Sequence, residues 1–161
     1  MYAARRPWVP SRAALRAWVQ AVLRAAPRPR RAPAGAERPA RRRSAAGARQ
    51  VSIRIVGAAT SRALNARYRH KPYPTNVLSF AGVGRLPDGD CDLGELVICA
   101  PVLEREARAQ GISRAAHWAH ITVHGVLHLL GYDHEQARAA RGMERREAQI
   151  LGLLGFSNPY A

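Results

Sequence analysis

Apolar and polar residues recur along this chain with two different periods, which predict helices and strands. Apolar positions spaced three to four residues apart are typical of amphipathic helices, and they occur in residues 12–26, 102–110, 114–130 and 136–154. Alternation with a period of two, or a short apolar run, predicts strands, and such segments span residues 51–56, 77–81 and 93–99. A further short helix is expected from Thr60 or Ser61, either of which could cap its start.

This order of elements predicts an α+β domain, in which a small mixed sheet is flanked by about five helices. The helix over residues 114–130 carries apolar side chains around much of its circumference, so we expect it at the buried centre. The chain has 161 residues, enough for one domain whose core needs no disulfide or metal as its main support. We therefore expect residues 50–161 to form one core together with the first helix of the N-terminal segment 1–26.

Residues 27–49 interrupt the pattern because they are rich in proline, arginine and alanine and cannot build a core. We expect this segment to be a basic, disordered linker. The first 50 residues carry 13 arginines and one acidic residue, Glu37, so most of the net charge of +15 lies there. Two interpretations stay open: an unconstrained insertion, or an arginine-rich arm that contacts the phosphates of RNA.

Cys91 and Cys99 are the two cysteines of the chain, too few for a disulfide framework and not spaced as metal ligands. A reducing compartment, the cytoplasm, is therefore expected. No apolar run approaches the roughly 20 residues that span a bilayer, so we expect no membrane partner. Arg12 and Arg16 interrupt the first apolar stretch, which argues against a secretory signal. The arginine-rich start leaves an organelle transit peptide as an alternative.

The candidate chemistry lies at the end of the central helix, in the segment HGVLHLLGYDH. His124 and His128 are four residues apart, so both imidazoles lie on one helix face and can bind one ion. Gly131 suits the left-handed conformation that ends a helix and lets the chain return His134 to the same ion. Three neutral imidazoles leave one tetrahedral position for water, as in a catalytic zinc site. We predict one divalent metal per chain, with zinc as the expected ion, although imidazole also suits nickel and other metals.

The histidine spacing also matches the zinc-binding helix of metzincin proteases, with one difference. Those enzymes carry a glutamate after the first histidine as the general base, whereas this chain has Gly125. A metalloprotease with an unusual base is therefore the alternative enzyme class, and the missing glutamate argues against it.

Three residues near the predicted ligands have less specific roles. Asp133 could hold a ligand imidazole by a hydrogen bond, hold the turn, or accept a proton from the metal-bound water, and we expect a structural role beside the ligands. His117 and His120 lie upstream on about the same helix face and could bind substrate phosphate or orient the water. We leave both outside the predicted metal site, because buried histidines more often satisfy backbone groups.

The segment HGVLHLLGYDH closely resembles the signature of the YbeY family of bacterial endoribonucleases. Leu64 and Asn65, Tyr68 and Arg69, and residues 74–80 are together similar to a second signature of that family. The resemblance implies that Arg69, which follows an aromatic residue, is the functionally essential arginine of the family. A guanidinium suits phosphodiester cleavage because it can hold two phosphate oxygens while negative charge develops on them.

The resemblance implies a metal-dependent endoribonuclease with a zincin-like metal-site helix, which hydrolyses single-stranded RNA. It further implies a role in ribosomal RNA maturation, at the 3′ end of the small-subunit RNA, and in ribosome quality control. The expected partners are single-stranded RNA and a ribosomal RNA precursor or the ribosome. The alternative from another functional class is a non-catalytic, RNA-binding ribosome assembly factor whose metal only stabilises the fold.

Overall fold

The computed structural model describes residues 7–26, 47–132 and 137–161. The elements in these ranges are α1 (Arg12–Ala25), β1 (Arg49–Val56), α2 (Ala58–Arg69), β2 (Val77–Arg85), β3 (Cys91–Cys99), α3 (Ala100–Gln110), α4 (Arg114–Leu129) and α5 (Ala137–Leu153). The predicted α+β class, with about five helices and a small mixed sheet, is confirmed. No helix within these ranges has the length and apolar character needed to cross a membrane.

The three strands form one sheet with β3 in the middle. β1 runs parallel to β3 and places Ile53 beside Leu96, whereas β2 runs antiparallel and places Ser79 on the other side of Leu96. The sheet is mixed because a turn joins β2 directly to β3, while β1 and β3 need a longer connection between them.

α4 is the buried centre of the domain, as predicted. It packs against β2 and β3 of the sheet, and α1, α3 and α5 pack around it. Its side chains Trp118, Val123, Val126 and Leu127 are almost completely buried, as is Leu96 of β3. The helix therefore has little solvent-facing surface, and a polar side chain on it is stabilised where a neighbouring element supplies a partner.

Ser11 and Ser113 cap the starts of α1 and α4, each side chain accepting a hydrogen bond from the third residue after it. The prediction that Thr60 or Ser61 caps α2 is wrong, because α2 begins upstream of both. The Ser61 hydroxyl instead donates to Thr75 O at 2.9 Å and accepts from Thr75 N at 3.0 Å. It thereby ties α2 to the loop before β2.

The strands are longer than the sequence pattern indicated. β1 begins at Arg49, so the predicted linker of residues 27–49 extends too far, and its residues 27–46 lie outside the described part of the chain. The Arg49 guanidinium donates to Leu23 O at the end of α1, and Cys91 N donates to Ala48 O at 2.9 Å. These bonds extend the ordered backbone upstream of the apolar strand residues.

At Gly125, α4 packs closely against the sheet. A Cβ at this position would lie 2.8 Å from Leu96 Cδ2. Because Leu96 is fully buried, it could move aside only by disturbing a close-packed core. The absence of a side chain at position 125 therefore sets the distance between α4 and β3.

Gly125→Ala should lower the free energy of unfolding by about 1–3 kcal/mol, the usual cost of overpacking a core. Urea denaturation of the metal-free protein, followed by circular dichroism, measures this change. Gly142→Ala is the matched control, because a Cβ at this glycine of α5 would meet nothing within 4 Å. There alanine should raise the free energy of unfolding by about 0.5–1 kcal/mol. A gain of stability at both positions would contradict the close approach.

Candidate metal centre

The two histidines predicted as ligands on α4 lie one turn apart near its C-terminal end. Their ring centroids are 4.6 Å apart, and the distance between His124 Nε2 and His128 Nε2 is 3.1 Å. Two nitrogens bound to one tetrahedral zinc at about 2.0–2.1 Å are separated by roughly 3.3 Å. The observed separation is close to that of two ligands of a single ion, and it also suits a hydrogen bond between the two rings.

The chain turns after α4 as predicted. Gly131 has φ +92°, and Tyr132 N donates to Leu127 O at 3.0 Å, which is the Schellman ending of a helix. His134 and Asp133 lie outside the described residues. The ranges that the structure describes therefore contain two of the three predicted ligands, and in them no group of three His, Cys, Asp or Glu side chains could hold a metal.

A buried carboxylate, Glu147 of α5, holds the ring of His124. Glu147 Oε1 lies 2.6 Å from His124 Nδ1, and the Glu147 side chain is only 1% exposed. A neutral imidazole that donates from Nδ1 keeps the lone pair of Nε2, here on the side of His128. Carboxylates behind ligand histidines fix the tautomer and the ring orientation in metal sites. The donor atoms and their support therefore fit a divalent ion that prefers imidazole.

Glu147 is ionised at neutral pH despite its burial. Desolvation raises the pKa of Glu147, but hydrogen bonds from His120, His124 and Tyr160 outweigh it and lower the pKa to about 2 from its ordinary 4.5. Desolvation and the hydrogen bond to Glu147 together raise the pKa of Tyr160 well above its ordinary value. The tyrosine hydroxyl is therefore a donor, and the carboxylate is an acceptor only.

His120, which we left outside the predicted site, contacts the group behind His124. Its Nε2 lies 3.3 Å from the Tyr160 hydroxyl and 3.7 Å from Glu147 Oε2. Glu147 thus brings together side chains of α4, α5 and the segment after α5.

His117 belongs to a different buried cluster on α4. His117 Nε2 lies 2.7 Å from Glu106 Oε2 on α3, and Asn76 Nδ2 donates to the same oxygen at 3.3 Å. The cluster links α3, α4 and the residue that precedes β2. Its histidine pairs with a side-chain carboxylate, whereas we expected a histidine outside the metal site to satisfy a backbone group.

Arg69 is the last residue of α2 and is exposed. Within the described ranges its guanidinium makes no hydrogen bond or ion pair, so its donors face solvent. The neighbouring Tyr68 packs edge-on against Phe80 of β2, with ring centroids 5.0 Å apart, which fixes the end of the helix. No described hydrogen bond, ion pair or ring contact joins Arg69 to His124 or His128.

The loop that follows α2 is held by hydrogen bonds to its main-chain atoms. Asn65, which is 1% exposed, donates from Nδ2 to Tyr73 O at 2.7 Å, and Lys71 N donates to Asn65 O at 3.3 Å. With the bonds between Ser61 and Thr75, these contacts fix the path of the loop. Asn65 lies in the same signature segment as Arg69, and its side chain positions the backbone of this loop.

Neither Glu147 nor Tyr160 was among the predicted site residues. Glu147 did carry a signal, because it lies on the apolar face of α5 between the buried Met143 and Ile150. A carboxylate on a buried face must have partners. Tyr160 carried no such signal, since it follows the last helix in a segment without periodicity.

Residues 10–155 match a protein-family model described as endoribonuclease YbeY. Proteins named endoribonuclease YbeY from Alkalilimnicola ehrlichii and Pseudomonas putida are 48% identical over 158 residues and 47% identical over 155 residues. These alignments cover 96% and 94% of this chain and 84% and 85% of the two relatives. A Thermotoga maritima protein solved in solution is 25% identical, with a TM-score of 0.43 over 65% of this chain and 69% of that one.

The Glu106 cluster predicts a pH-dependent contribution to stability. Burial raises the pKa of Glu106, but hydrogen bonds from His117 and Asn76 lower it below the ordinary 4.5. A carboxylate with a depressed folded-state pKa stabilises the protein above its unfolded-state pKa, and this contribution disappears as pH falls through the folded-state value. Glu106→Gln should therefore cost about 1.5–3 kcal/mol at neutral pH and progressively less below about pH 4.5.

Urea denaturation of wild type and Glu106→Gln across this pH range measures the difference in unfolding free energy. Glu95→Gln is a control, because its ion pair with Arg54 at 3.1 Å lies at the surface and should contribute less than about 1 kcal/mol. A Glu106→Gln difference that does not change with pH would contradict the prediction.

Proposed function

The chain belongs to the YbeY family of endoribonucleases, and from that membership we propose that it is a metal-dependent hydrolase that cleaves single-stranded RNA at internal phosphodiesters. We infer the metal dependence chiefly from the 3.1 Å separation of His124 Nε2 and His128 Nε2. The buried carboxylate of Glu147, which bonds to His124 Nδ1, supports this inference because it orients the His124 ring. The RNA-cleaving activity is supported by the relatives, which are 48% and 47% identical to this chain over the aligned residues and carry the name endoribonuclease.

In this proposal His124, His128 and His134 hold one divalent ion, with zinc as the expected metal. The ion, when bound, supplies Lewis acidity for a phosphate oxygen and activation of a water molecule. Glu147 keeps His124 in the tautomer whose Nε2 carries the lone pair for the ion. The protein contributes the geometry of the donors and their orientation.

Arg69 is proposed to bind the phosphate that is attacked. Its guanidinium can donate two parallel hydrogen bonds to phosphate oxygens. Negative charge grows on these oxygens as the phosphodiester bond breaks, so a fixed cation stabilises the transition state more than the ground state. The exposed position of Arg69 at the end of α2 leaves the side chain accessible to an RNA chain.

The biological substrate is proposed to be a ribosomal RNA precursor, processed at the 3′ end of the small-subunit RNA, with a role in ribosome quality control. The resemblance of the two signature segments supports this assignment. A cytoplasmic location is part of the proposal, and the low cysteine content of the chain agrees with it. The arginine-rich arm of residues 27–49 remains a candidate RNA contact.

The geometry of Gly125 argues against the protease alternative. A Cβ at this position would meet Leu96 in the core, so the position that carries the metzincin base has no carboxylate here and is closely packed against the sheet. The remaining alternative, a binding factor with a structural metal, makes a different experimental prediction. It requires RNA binding without metal-dependent cleavage.

The test is cleavage of an end-labelled, unstructured RNA by wild type, His128→Ala and Arg69→Ala, with the zinc content of each protein measured in parallel. His128→Ala should lose both bound zinc and cleavage. Arg69→Ala should keep its zinc and lose about 10²–10³-fold in cleavage rate, the usual effect of removing one transition-state donor. Arg62→Ala is the matched control, because Arg62 is another exposed arginine of α2 and should cleave like wild type.

Equal cleavage by all four proteins would identify a contaminating nuclease and contradict the proposal. Full cleavage in the presence of a chelator would contradict the metal dependence. Retained RNA binding without cleavage, together with a melting temperature that falls on chelation, would establish the binding-factor alternative. Chelator-sensitive hydrolysis of casein would establish the protease alternative.

A further inference from the structure

The segment after α5 folds back onto α4, and its start is anchored in the core. Gly155 has φ +81°, and Phe156 N donates to Leu151 O at 2.9 Å, so the helix ends in a defined turn. The Phe156 ring packs edge-on against Trp18 of α1, with ring centroids 6.1 Å apart. The path of the segment is therefore set by buried aromatic packing.

The far end of the segment is held at Tyr160. The Asn158 side chain accepts a hydrogen bond from Tyr160 N at 3.0 Å, which closes a local turn. The Tyr160 ring stands edge-on to the His120 ring, with centroids 5.8 Å apart. Its hydroxyl donates to Glu147 Oε2.

These contacts give the two oxygens of Glu147 different partners. Oε1 accepts from His124 Nδ1, and Oε2 accepts from the Tyr160 hydroxyl. A buried carboxylate with a donor at each oxygen cannot rotate without breaking one of the bonds, and losing a bond to a buried charge is costly. Tyr160 therefore restrains the orientation of the Glu147 carboxylate relative to the His124 ring.

We propose that Tyr160 is a positioning residue of the metal site, acting through Glu147 to hold His124 with Nε2 directed towards the ion. This inference rests on the proposed assignment of His124 and His128 as metal ligands. It makes the segment after α5 a part of the metal centre, although the segment contributes no ligand. Removing the Tyr160 hydroxyl should weaken metal binding while the fold remains intact.

The test is the zinc affinity of the full-length, metal-free protein, measured by competition with a chromophoric chelator. Tyr160→Phe keeps the ring against His120 and removes only the hydroxyl, and it should raise the Kd for zinc about tenfold, the lower end of the effect of losing an outer-shell partner. Glu147→Gln removes the charge and should weaken zinc binding by about 10–100-fold. The two losses should be less than additive in the double variant, because the hydroxyl acts through the carboxylate.

A spectrum and a control variant distinguish a positioning role from general destabilisation. The visible absorption spectrum of the Co²⁺-loaded protein should change in Tyr160→Phe, because the spectrum reports the geometry of the ligands. Tyr73→Phe is the matched control: Tyr73 is 54% exposed and its hydroxyl has no partner among the described residues. That variant should bind zinc and Co²⁺ like wild type.

The outcomes distinguish this inference from the proposed function. If wild type binds zinc and His128→Ala does not, but Tyr160→Phe matches wild type in affinity and spectrum, the positioning role is wrong and the ligand assignment stands. If wild type and His128→Ala bind zinc equally, the ligand assignment fails and the inference fails with it. A weakened affinity with an unchanged Co²⁺ spectrum would indicate general destabilisation and would also overturn the positioning role.

Discussion

The burial of α4 against the sheet is the constraint on which the rest of the structure depends. Gly125 lets the helix approach Leu96 closely enough that the two elements share one core. A helix enclosed in this way withdraws its polar side chains from water, so partners on neighbouring elements stabilise them. Its histidines are accordingly met by carboxylates from other helices: Glu106 of α3 faces His117, and Glu147 of α5 faces His124. The packing of the domain and the support of the candidate metal centre therefore have the same cause.

Much of the fold could be predicted because its signals are local. Ser11 and Ser113 mark helix starts through bonds that reach only three residues along the chain, and Gly131 marks a helix end in the same way. The pairing of His124 with His128 follows from the pitch of one helix. Ser61 gave a misleading local signal, because its hydroxyl serves a contact with Thr75 that only the tertiary fold brings within reach.

The support of the site could not be read from the sequence in the same way, because it depends on contacts between distant segments. Glu147 is 23 positions from the histidine that it holds, and no periodicity relates the two. Tyr160 reaches Glu147 only because Phe156 packs against Trp18 and Asn158 closes a turn. A carboxylate on a buried helix face does indicate that some partner exists, but only the packing identifies which one.

The way in which α2 holds its following loop has a consequence for how the protein can vary. Asn65 and Ser61 bond to main-chain atoms of Tyr73 and Thr75, and these bonds do not depend on the side chain at position 73. The exposed side chain of Tyr73 can then be exchanged while the backbone keeps its path, whereas His70, with φ +58°, has a conformation that few side chains tolerate. Related chains can thus differ in the exposed side chain beside the arginine while the loop backbone keeps the same path.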